Sequence, residues 1–523
     1  VNLNSKTKYK IMIIYYLLLK QNDIDTSVFK RNTVIEKISL PASKKSIENG
    51  SFNEYRKMTR IKIPSSIRTI GENSFSKCTE LREINIPSSV ISIGNYAFNE
   101  CTKLKRIVIP LSVTSIGDYA FSKCSSLEQI FILSSVISIG DYAFNECSSI
   151  TQITIPSSVK SIGKNVFNKC TSLKKITVLY SVSTFIIDTF KRIESVEITG
   201  NIECISNKLF EGCSSLTQII IPSSVTSIDN NIFSFCSSIK QIKIPSHLTS
   251  IGYSAFKGCQ KSEQITIPSS VTLIKEGVFS DCKELKQIFI PSSVDSIKDL
   301  VFNECSSLTQ ITIPSSVTSI GYSAFKGCTS LTKILIPSSV NSIDSHAFCG
   351  CSSLTQISIP SSVVSVGSYV FYGCSSLVQI SISSFLTSIG DSSFYGCLNI
   401  TEIPIPSSVI SFGNSSFYGC SLLTKITIPM SVTSIGSHCF CCCSSLTRIS
   451  IPSSVTSIGD SAFYGCIKLT QMQIPSSVNS IGNSVFYGCS SLKQISILSS
   501  VISICDSTFF GCSSLTQISI PLL

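Results

Sequence analysis

The feature that most constrains this chain is a phenylalanine that recurs every 23 residues. The series comprises Phe75, Phe98, Phe121, Phe144, Phe167 and Phe190, then Phe210 and every 23rd residue to Phe509. Extrapolation toward the N-terminus reaches Phe52 and Phe29. A fixed period of this length is typical of repeat architectures, in which each unit packs only against its neighbours. The 523 residues therefore do not divide into several unrelated globular domains.

One unit, residues 308–330, shows how each position contributes to a coil. Leu308, Ile311 and Ile313 have the L-x-x-L-x-L spacing of a leucine-rich repeat. The alternation from Ile311 to Ile313 predicts a strand with the isoleucines turned inward and Thr312 outward. Pro314 ends the strand because it lacks the amide that a further ladder bond needs. After the Ser-Ser corner, Val317 and Ile320 point inward from the opposite wall, and we expect Ala324-Phe325 to form a tight helical turn.

The predicted fold is a leucine-rich repeat solenoid of about 22 coils of 23 residues. We expect a curved, right-handed coil stack with a parallel β-sheet on its concave side and short strands plus helical turns on the other wall. Stacking explains why 43% of the residues are hydrophobic and only 14% charged. The longest apolar run, residues 11–19, is far short of the roughly 20 residues of a membrane-spanning helix, so no direct membrane span is predicted.

The residues that recur from unit to unit resemble the BspA-like, or Treponema-pallidum-type, class of leucine-rich repeats. The resemblance rests on the motif Leu-x-x-Ile-x-Ile-Pro-x-x-Val-x-x-Ile-Gly-x-x-Ala-Phe-x-x-Cys and covers residues 25–523. It implies a non-enzymatic surface antigen or adhesin that binds matrix proteins or other cells, located at the cell surface or outside the cell. It implies no cofactor.

The repeat pattern predicts four segments. Residues 1–24 are an N-terminal cap or the remnant of a targeting segment, because an apolar run follows three lysines but no cleavage site follows the run. Residues 25–180 are leucine-rich repeats, and residues 181–204 are an irregular coil with a possible kink, since Phe190 and Phe210 are only 20 residues apart. Residues 205–523 are again repeats and stop in mid-repeat, which suggests a truncated chain.

Nineteen of the 25 cysteines occupy one repeat position, three residues after the phenylalanine. Phe325 with Cys328 and Phe348 with Cys351 illustrate this structural ladder. Parallel side chains from neighbouring coils do not converge as a disulfide requires, so we expect free, buried thiols. The cluster from Cys439 to Cys443 beside His438 invites a zinc or redox hypothesis. The position of the cluster in the repeat argues against such a site, because Cys439 replaces the inward alanine and only Cys441 and Cys442 face outward.

The outward strand positions are the candidate ligand contacts. The third residue of the unit is glutamine in twelve coils and the fifth is mostly threonine or serine. Two interpretations remain open for this row: ligand contact, or a ladder of amides that bond only to each other. Tyrosines after the phenylalanine are either interaction hot spots or rings stacked on one another. The candidates are Arg82, Lys105, Arg106, Gln218, Gln241, Gln264, Gln287, Gln310, Tyr372, Tyr395 and Tyr418.

Charge and motif content narrow the functional classes. The net charge of +11 is concentrated in the first 60 residues, so the solenoid lacks the basic stripe of a nucleic-acid-binding protein. Neither a catalytic triad nor a phosphate loop nor a metalloprotease motif occurs, and we expect neither an enzyme nor a metal site. The sequence favours a protein-binding, adhesive repeat protein with host, matrix or glycan partners. The alternative is an intracellular, cytoplasmic scaffold, which unpaired thiols would suit.

Overall fold

The computed structural model describes residues 36–179, 187–205, 208–498 and 504–519. The chain divides into two compact units, the first made of residues 1–202 and 213–222 and the second of residues 203–212 and 223–523. Each unit is a parallel-strand β-solenoid with a 23-residue spacing, as predicted. The predicted N-terminal cap, residues 1–24, lies outside the described residues.

Most described coils contribute two strands, which we call the A strand and the B strand. The A strand holds the Ile-x-Ile motif, and the B strand is the Ser-Ile pair that precedes the glycine. In the first unit the A strands are Lys37–Ser39, Arg60–Lys62, Arg106–Ile109, Gln129–Ile132, Gln152–Thr154, Lys175–Leu179, Ser195–Thr199 and Gln218–Ile220. The B strands there are Ser46–Ile47, Thr69–Ile70, Ser92–Ile93, Ser115–Ile116, Ser138–Ile139 and Ser161–Ile162.

The second unit repeats the same two strands. Its A strands are Gln241–Lys243, Gln264–Thr266, Gln287–Phe289, Gln310–Thr312, Lys333–Leu335, Gln356–Ser358, Gln379–Ser381, Glu402–Ile403, Lys425–Ile426, Gln471–Ile474, Gln494–Ile497 and Gln517–Ser519. Its B strands are Cys204–Ile205, Ser227–Ile228, Ser250–Ile251, Leu273–Ile274, Ser296–Ile297, Ser319–Ile320, Ser342–Ile343, Ser388–Ile389, Ser411–Phe412, Ser434–Ile435, Ser457–Ile458 and Ser480–Ile481.

Strands of successive coils pair in parallel and in register. Gln264, Gln287 and Gln310 are direct neighbours on three A strands, and Ser296, Ser319 and Ser342 are neighbours on three B strands. The offset between partners is one repeat, so equivalent side chains stack above one another. The one-residue alternation then places every isoleucine of a row on the inner side.

The turn around the phenylalanine differs from the predicted helical turn. Ser323 (φ 51°) and Gly327 (φ 73°) adopt the left-handed conformation on either side of Phe325, and this breaks a right-handed helix. The backbone N–H of Phe325 donates to the carbonyl of Ala347 in the next coil, at 2.8 Å, instead of to its own turn. The turn wall is therefore a third hydrogen-bonded ladder between coils. Among the described residues the helix is confined to Ile187–Phe190.

The core consists of equivalent side chains stacked in rows. The Phe325 ring lies 5.4 Å from the centroids of both Phe302 and Phe348, nearly parallel to each. Phe325, Cys328, Phe348 and Cys351 are completely buried. Burial of a phenylalanine side chain contributes on the order of 1.5–3 kcal/mol, and every coil repeats the contribution.

The irregular coil retains strand pairing without the standard corner. The strands Lys175–Leu179 and Ser195–Thr199 pair over five residues, and neither ends in the proline that terminates other A strands. Ile193, which replaces the ladder cysteine, is buried. Across the described residues, no helix is long and apolar enough to cross a membrane.

Replacement of Phe325 by alanine is expected to destabilise the coils around it by about 3–5 kcal/mol, because a stacked, buried ring is lost and a cavity remains. Since repeat arrays unfold locally, the measurement is hydrogen exchange followed by mass spectrometry, resolved by coil. Phe289→Ala is the matched control, because that ring is 64% exposed, and its effect should stay within about 0.5 kcal/mol. Equal exchange rates in residues 302–348 of the two variants would contradict the stacked-row description.

Candidate functional site

The outer side of the A strands, which we call the A face, carries the exposed side chains at the second, third and fifth positions of each unit. In the strand Gln310–Thr312 the end residues are exposed and Ile311 is buried. The predicted residues Gln218, Gln241, Gln264, Gln287 and Gln310 all lie on this face, each exposed. Gln218 belongs to the first unit and the other four to the second.

Elsewhere on the coils, polar side chains bond to a neighbouring coil. The Ser316 hydroxyl at the corner donates to the carbonyl of Val294, at 2.6 Å. The Thr318 hydroxyl donates to the carbonyl of Asp295, at 3.1 Å. Two residues after the B strand, Asp299 Oδ1 accepts the backbone N–H of Tyr322 from the following coil, at 2.8 Å. These side chains hold the stack together, and their recurrence in the repeat has a structural cause.

The A-face glutamines behave differently. Within the described part of the chain, the side-chain amides of Gln241, Gln264, Gln287 and Gln310 make no hydrogen bond, and neither do the Thr266 and Thr312 hydroxyls. An amide offers two donors and an acceptor, so this row presents unused hydrogen-bonding groups to the outside. Of the two interpretations of the sequence, the self-bonded amide ladder does not match this geometry.

Two of the three predicted cations of the first unit have partners within the protein. Lys105 lies 3.9 Å from the carboxylate of Glu128. The Arg106 guanidinium lies over the Phe131 ring, 5.3 Å from its centroid. Arg82 is exposed on the same face. Exposed pairs of this kind contribute little stability, but they reduce the free positive charge of this part of the A face.

Described residues line three depressions on the A face. The first, of about 810 Å³, lies in the second unit and includes Lys425, Arg448 and Met430 in its lining. The second, of about 680 Å³, surrounds Phe131 in the first unit. The third, of about 400 Å³, surrounds Phe289. Sequence reasoning missed Lys425, Arg448 and Phe289, although each interrupts the Gln and Thr rows, and that interruption was the available signal.

Lys425 and Arg448 are neighbours on adjacent coils, in parallel register. Like charges directly opposite each other on a sheet are destabilising. The lining of the first depression contains no acidic residue, and in the described part of the chain neither cation forms an ion pair. Glu402 faces Lys425 from the preceding coil. The first depression therefore combines two cations without an ion pair in the described residues, and the exposed Met430, while Glu402 lies outside its lining.

The predicted tyrosines stack on one another. Tyr395 lies between Tyr372 and Tyr418, with centroid distances of 4.6 and 4.5 Å. Partial burial of the Tyr372 hydroxyl raises its pKa above the ordinary value. The sequence allowed two interpretations of these tyrosines, and the rings adopt the stacked one. They lie on the turn wall rather than the A face.

The ladder cysteines have a bonding role in each coil. The thiol of Cys328 donates to the carbonyl of Phe302, at 3.2 Å, and the thiol of Cys351 donates to that of Phe325 in the same way. Burial raises the pKa of Cys282 to about 12 and that of Cys420 to about 12. In the described residues none of the 25 cysteines forms a disulfide.

The cluster around His438 is mostly inside the coil. Cys439 and Cys443 are completely buried, and Cys441, which was expected to face outward, is only 3% exposed. It occupies the position of the stacked tyrosines and lies beside Cys442, with 3.6 Å between the sulfur atoms. Burial raises the pKa of Cys441. No three His, Cys, Asp or Glu side chains in the described residues form a group suited to a metal ion.

The repeats of this chain match a known family of leucine-rich repeat proteins. The model of the BspA type leucine-rich repeat region matches residues 22–149, 91–217, 188–309, 295–423 and 411–522. No curated protein matches the chain.

Three solved structures illustrate the similarity. A leucine-rich repeat protein from Bacteroides ovatus is 26% identical, with a TM-score of 0.37, over 84% of this chain and 88% of that chain. A leucine-rich cell surface protein from Faecalibacterium prausnitzii is 24% identical, with a TM-score of 0.27, over 79% and 87%. The Treponema pallidum leucine-rich repeat protein is 23% identical, with a TM-score of 0.22, over 43% and 77%.

Alkylation of the native protein with N-ethylmaleimide at about pH 8 is expected to modify Cys442 and Cys505 but not Cys282 or Cys420. A buried thiol with a pKa of about 12 is ionised in only about one molecule in ten thousand at that pH, and the thiolate is the nucleophile. Mass spectrometry of the digested protein identifies the modified residues. Modification of all four in denaturant is the control, and native labelling of Cys282 at the rate of Cys442 would contradict the burial of the ladder.

The same shifts predict alkaline destabilisation. Ladder thiols ionise near their ordinary value of 9.0 when unfolded, whereas the folded Cys124 and Cys282 ionise only near 12. A raised folded pKa stabilises the folded state below the unfolded value, and this stability is lost as the pH rises through the folded pKa. We therefore expect the melting temperature to be constant at neutral pH and to fall from about pH 9 upward, measured by circular dichroism. A constant melting temperature up to about pH 11 would contradict the prediction.

Proposed function

The chain belongs to the BspA-type leucine-rich repeat family, and from this premise we propose that it is a non-catalytic, adhesive surface protein that binds protein ligands through its A face. Leucine-rich repeat solenoids are typically protein-interaction scaffolds. The finer proposal is that the partners are host, matrix or cell-surface proteins and that the protein acts at the cell surface or outside the cell. The surface antigens and adhesins of the family class motivate this location.

One observation supports the A face as the binding surface: the stack leaves the amides of its glutamine row without side-chain partners. The Ser316 and Thr318 hydroxyls bond to the preceding coil, whereas the Gln287 and Gln310 amides make no side-chain hydrogen bond in the described part of the chain. Interfaces gain specificity when a partner supplies the missing donors and acceptors. The glutamine row therefore has donors and acceptors available for a partner.

Within the A face, the depression around Lys425 and Arg448 is the strongest candidate for the centre of the interface. Arginine and methionine are enriched in protein interfaces, and arginine is frequent at hot spots. The two neighbouring cations would gain most from acidic side chains of a partner, because such contact offsets their mutual repulsion. The proposed partner surface is therefore acidic at this point.

A second candidate function is an intracellular scaffold for protein–protein interaction. The observation in its favour is that no disulfide joins any of the 25 cysteines in the described residues, and cysteines without disulfides are usual in reducing compartments. Staining of intact and permeabilised cells with an antibody to the A face separates the two locations. Staining of intact cells is the expected result, and signal only after permeabilisation would replace the surface proposal with the scaffold.

The binding proposal is tested with the double variant Lys425→Glu, Arg448→Glu. Surface plasmon resonance against immobilised fibronectin, fibrinogen, laminin and collagen is expected to give at least one saturable interaction with the native protein. The variant should weaken it by at least about tenfold, since loss of a hot-spot residue costs about 2 kcal/mol or more.

The matched control is Lys275→Glu, Lys298→Glu, which changes the net charge equally. These lysines also lie on neighbouring coils, but they follow the B strands Leu273–Ile274 and Ser296–Ile297, away from the A face. Equal weakening by both double variants would indicate a general charge effect and reject the A-face groove. No binding to any of the four proteins by the native chain would reject the matrix-protein proposal.

A further inference from the structure

Phe289 is an aromatic ring exposed in the middle of a polar sheet. It is 64% exposed and ends the A strand Gln287–Phe289. The side chains in register on either side are Thr266 and Thr312. A large apolar side chain in this environment gains nothing from folding, because it is not removed from water. Its position is better explained by a ligand that covers it.

The groups around the ring are neutral and have no partner. Gln264, Gln287 and Gln310 form a row beside it, and together with the two threonines they line a depression of about 400 Å³. In the described part of the chain none of these five side chains makes a hydrogen bond. No charged residue lines the depression, and the nearby Glu263 and Lys286 pair with each other at 2.8 Å. On the next coils outward lie Lys243 and Lys333 and, in register with Thr312, the exposed Leu335.

This combination matches one ligand chemistry. A pyranose ring has an apolar C–H face, which packs on the electron-rich face of an aromatic ring. It also has several neighbouring hydroxyls, each a donor and an acceptor, and a side-chain amide can donate to one and accept from the next. A protein hot spot would instead require a larger, water-excluding apolar surface around the ring, which five polar side chains do not provide.

We propose that Phe289, with Gln264, Gln287, Gln310, Thr266 and Thr312, forms a binding subsite for a sugar ring of a neutral polysaccharide. The glutamine row runs from coil to coil at the strand spacing of about 4.8 Å, and one sugar of an extended glycan chain spans a similar length. Successive sugars would therefore meet equivalent amides on successive coils. This site is separate from the Lys425 and Arg448 depression and goes beyond the proposed protein-binding function.

The first unit offers an internal contrast. Phe131 occupies the equivalent fifth position, but the Arg106 guanidinium lies over its ring at 5.3 Å. In the described residues no cation lies over the Phe289 ring. The face that a sugar needs is thus occupied by an intramolecular contact at Phe131 and open at Phe289, so Phe131 is not part of the proposed subsite.

The test uses the absence of tryptophan from the chain. In the variant Phe289→Trp the introduced indole is the sole tryptophan fluorophore, located in the subsite. Titration with cellohexaose, chitohexaose and maltohexaose is expected to shift its emission saturably for at least one sugar, with a Kd of about 1 mM or lower. Isothermal titration calorimetry on the native protein measures the same affinity without a substitution.

Two alanine variants locate the site. Phe289→Ala should weaken sugar binding by roughly fivefold, since an aromatic contact of this kind contributes about 1 kcal/mol. Phe385→Ala removes a ring that is 62% exposed but follows a Ser-Ser corner, and it should leave binding unchanged. Both variants should retain the circular dichroism spectrum of the native protein.

Several outcomes would overturn the proposal. No heat of binding with any of the three sugars for the native protein would reject a neutral glycan ligand. Equal losses in the two alanine variants would reject Phe289 as the contact. A protein ligand lost in Phe289→Ala, without sugar binding by the native chain, would assign the ring to a protein interface. Because the Lys425 and Arg448 variant leaves these residues intact, failure here does not affect the protein-binding proposal.

Discussion

The hydrogen bonding of each coil to the next is the constraint on which the rest of the structure depends. It runs along three walls: the A strands, the B strands and the turn around the phenylalanine, where the Phe325 N–H donates to the carbonyl of Ala347. All three ladders require the same offset of one repeat. An insertion of one residue would shift a wall out of register and turn its inward side chains outward. The 23-residue length of the regular coils therefore follows from simultaneous pairing on three walls.

Side-chain hydrogen bonds reinforce this offset, and they explain why most of the repeat positions keep the same residue. The serine of the corner, the Asp or Asn after the glycine, and the ladder cysteine each bond to the backbone of a neighbouring coil, as Ser316, Asp299 and Cys328 do. Their small size matters, because a larger group could not enter the narrow space between stacked backbones. Recurrence at these positions therefore reflects stacking rather than ligand binding. Only residues outside this bonding scheme remain as functional candidates.

The bonding scheme does not use the glutamine row of the A face, and the composition of this face varies along the chain. Around Phe289 it is neutral with one exposed ring, whereas around Lys425 and Arg448 it is cationic. In the first unit, charged residues pair with one another, as Lys105 and Glu128 do. A solenoid of nearly identical coils can thus present chemically different sites through a few substitutions at outward positions. The core is unaffected because these side chains do not enter it.

The sequence by itself determined the coil, its strands and its buried rows, because periodicity specifies which side chains point inward and the 23-residue spacing specifies what they stack on. It also identified the A face as the outward side of the strands. The left-handed turn at Ser323 and Gly327 was not predicted, since Ala-Phe is equally compatible with a helix until the next coil competes for its N–H groups. Nor could the sequence show that the glutamine amides lack partners, that Tyr395 stacks between two tyrosines, or that Phe289 is open while Phe131 is covered. Those outcomes depend on distances between residues of different coils, which only the tertiary structure decides.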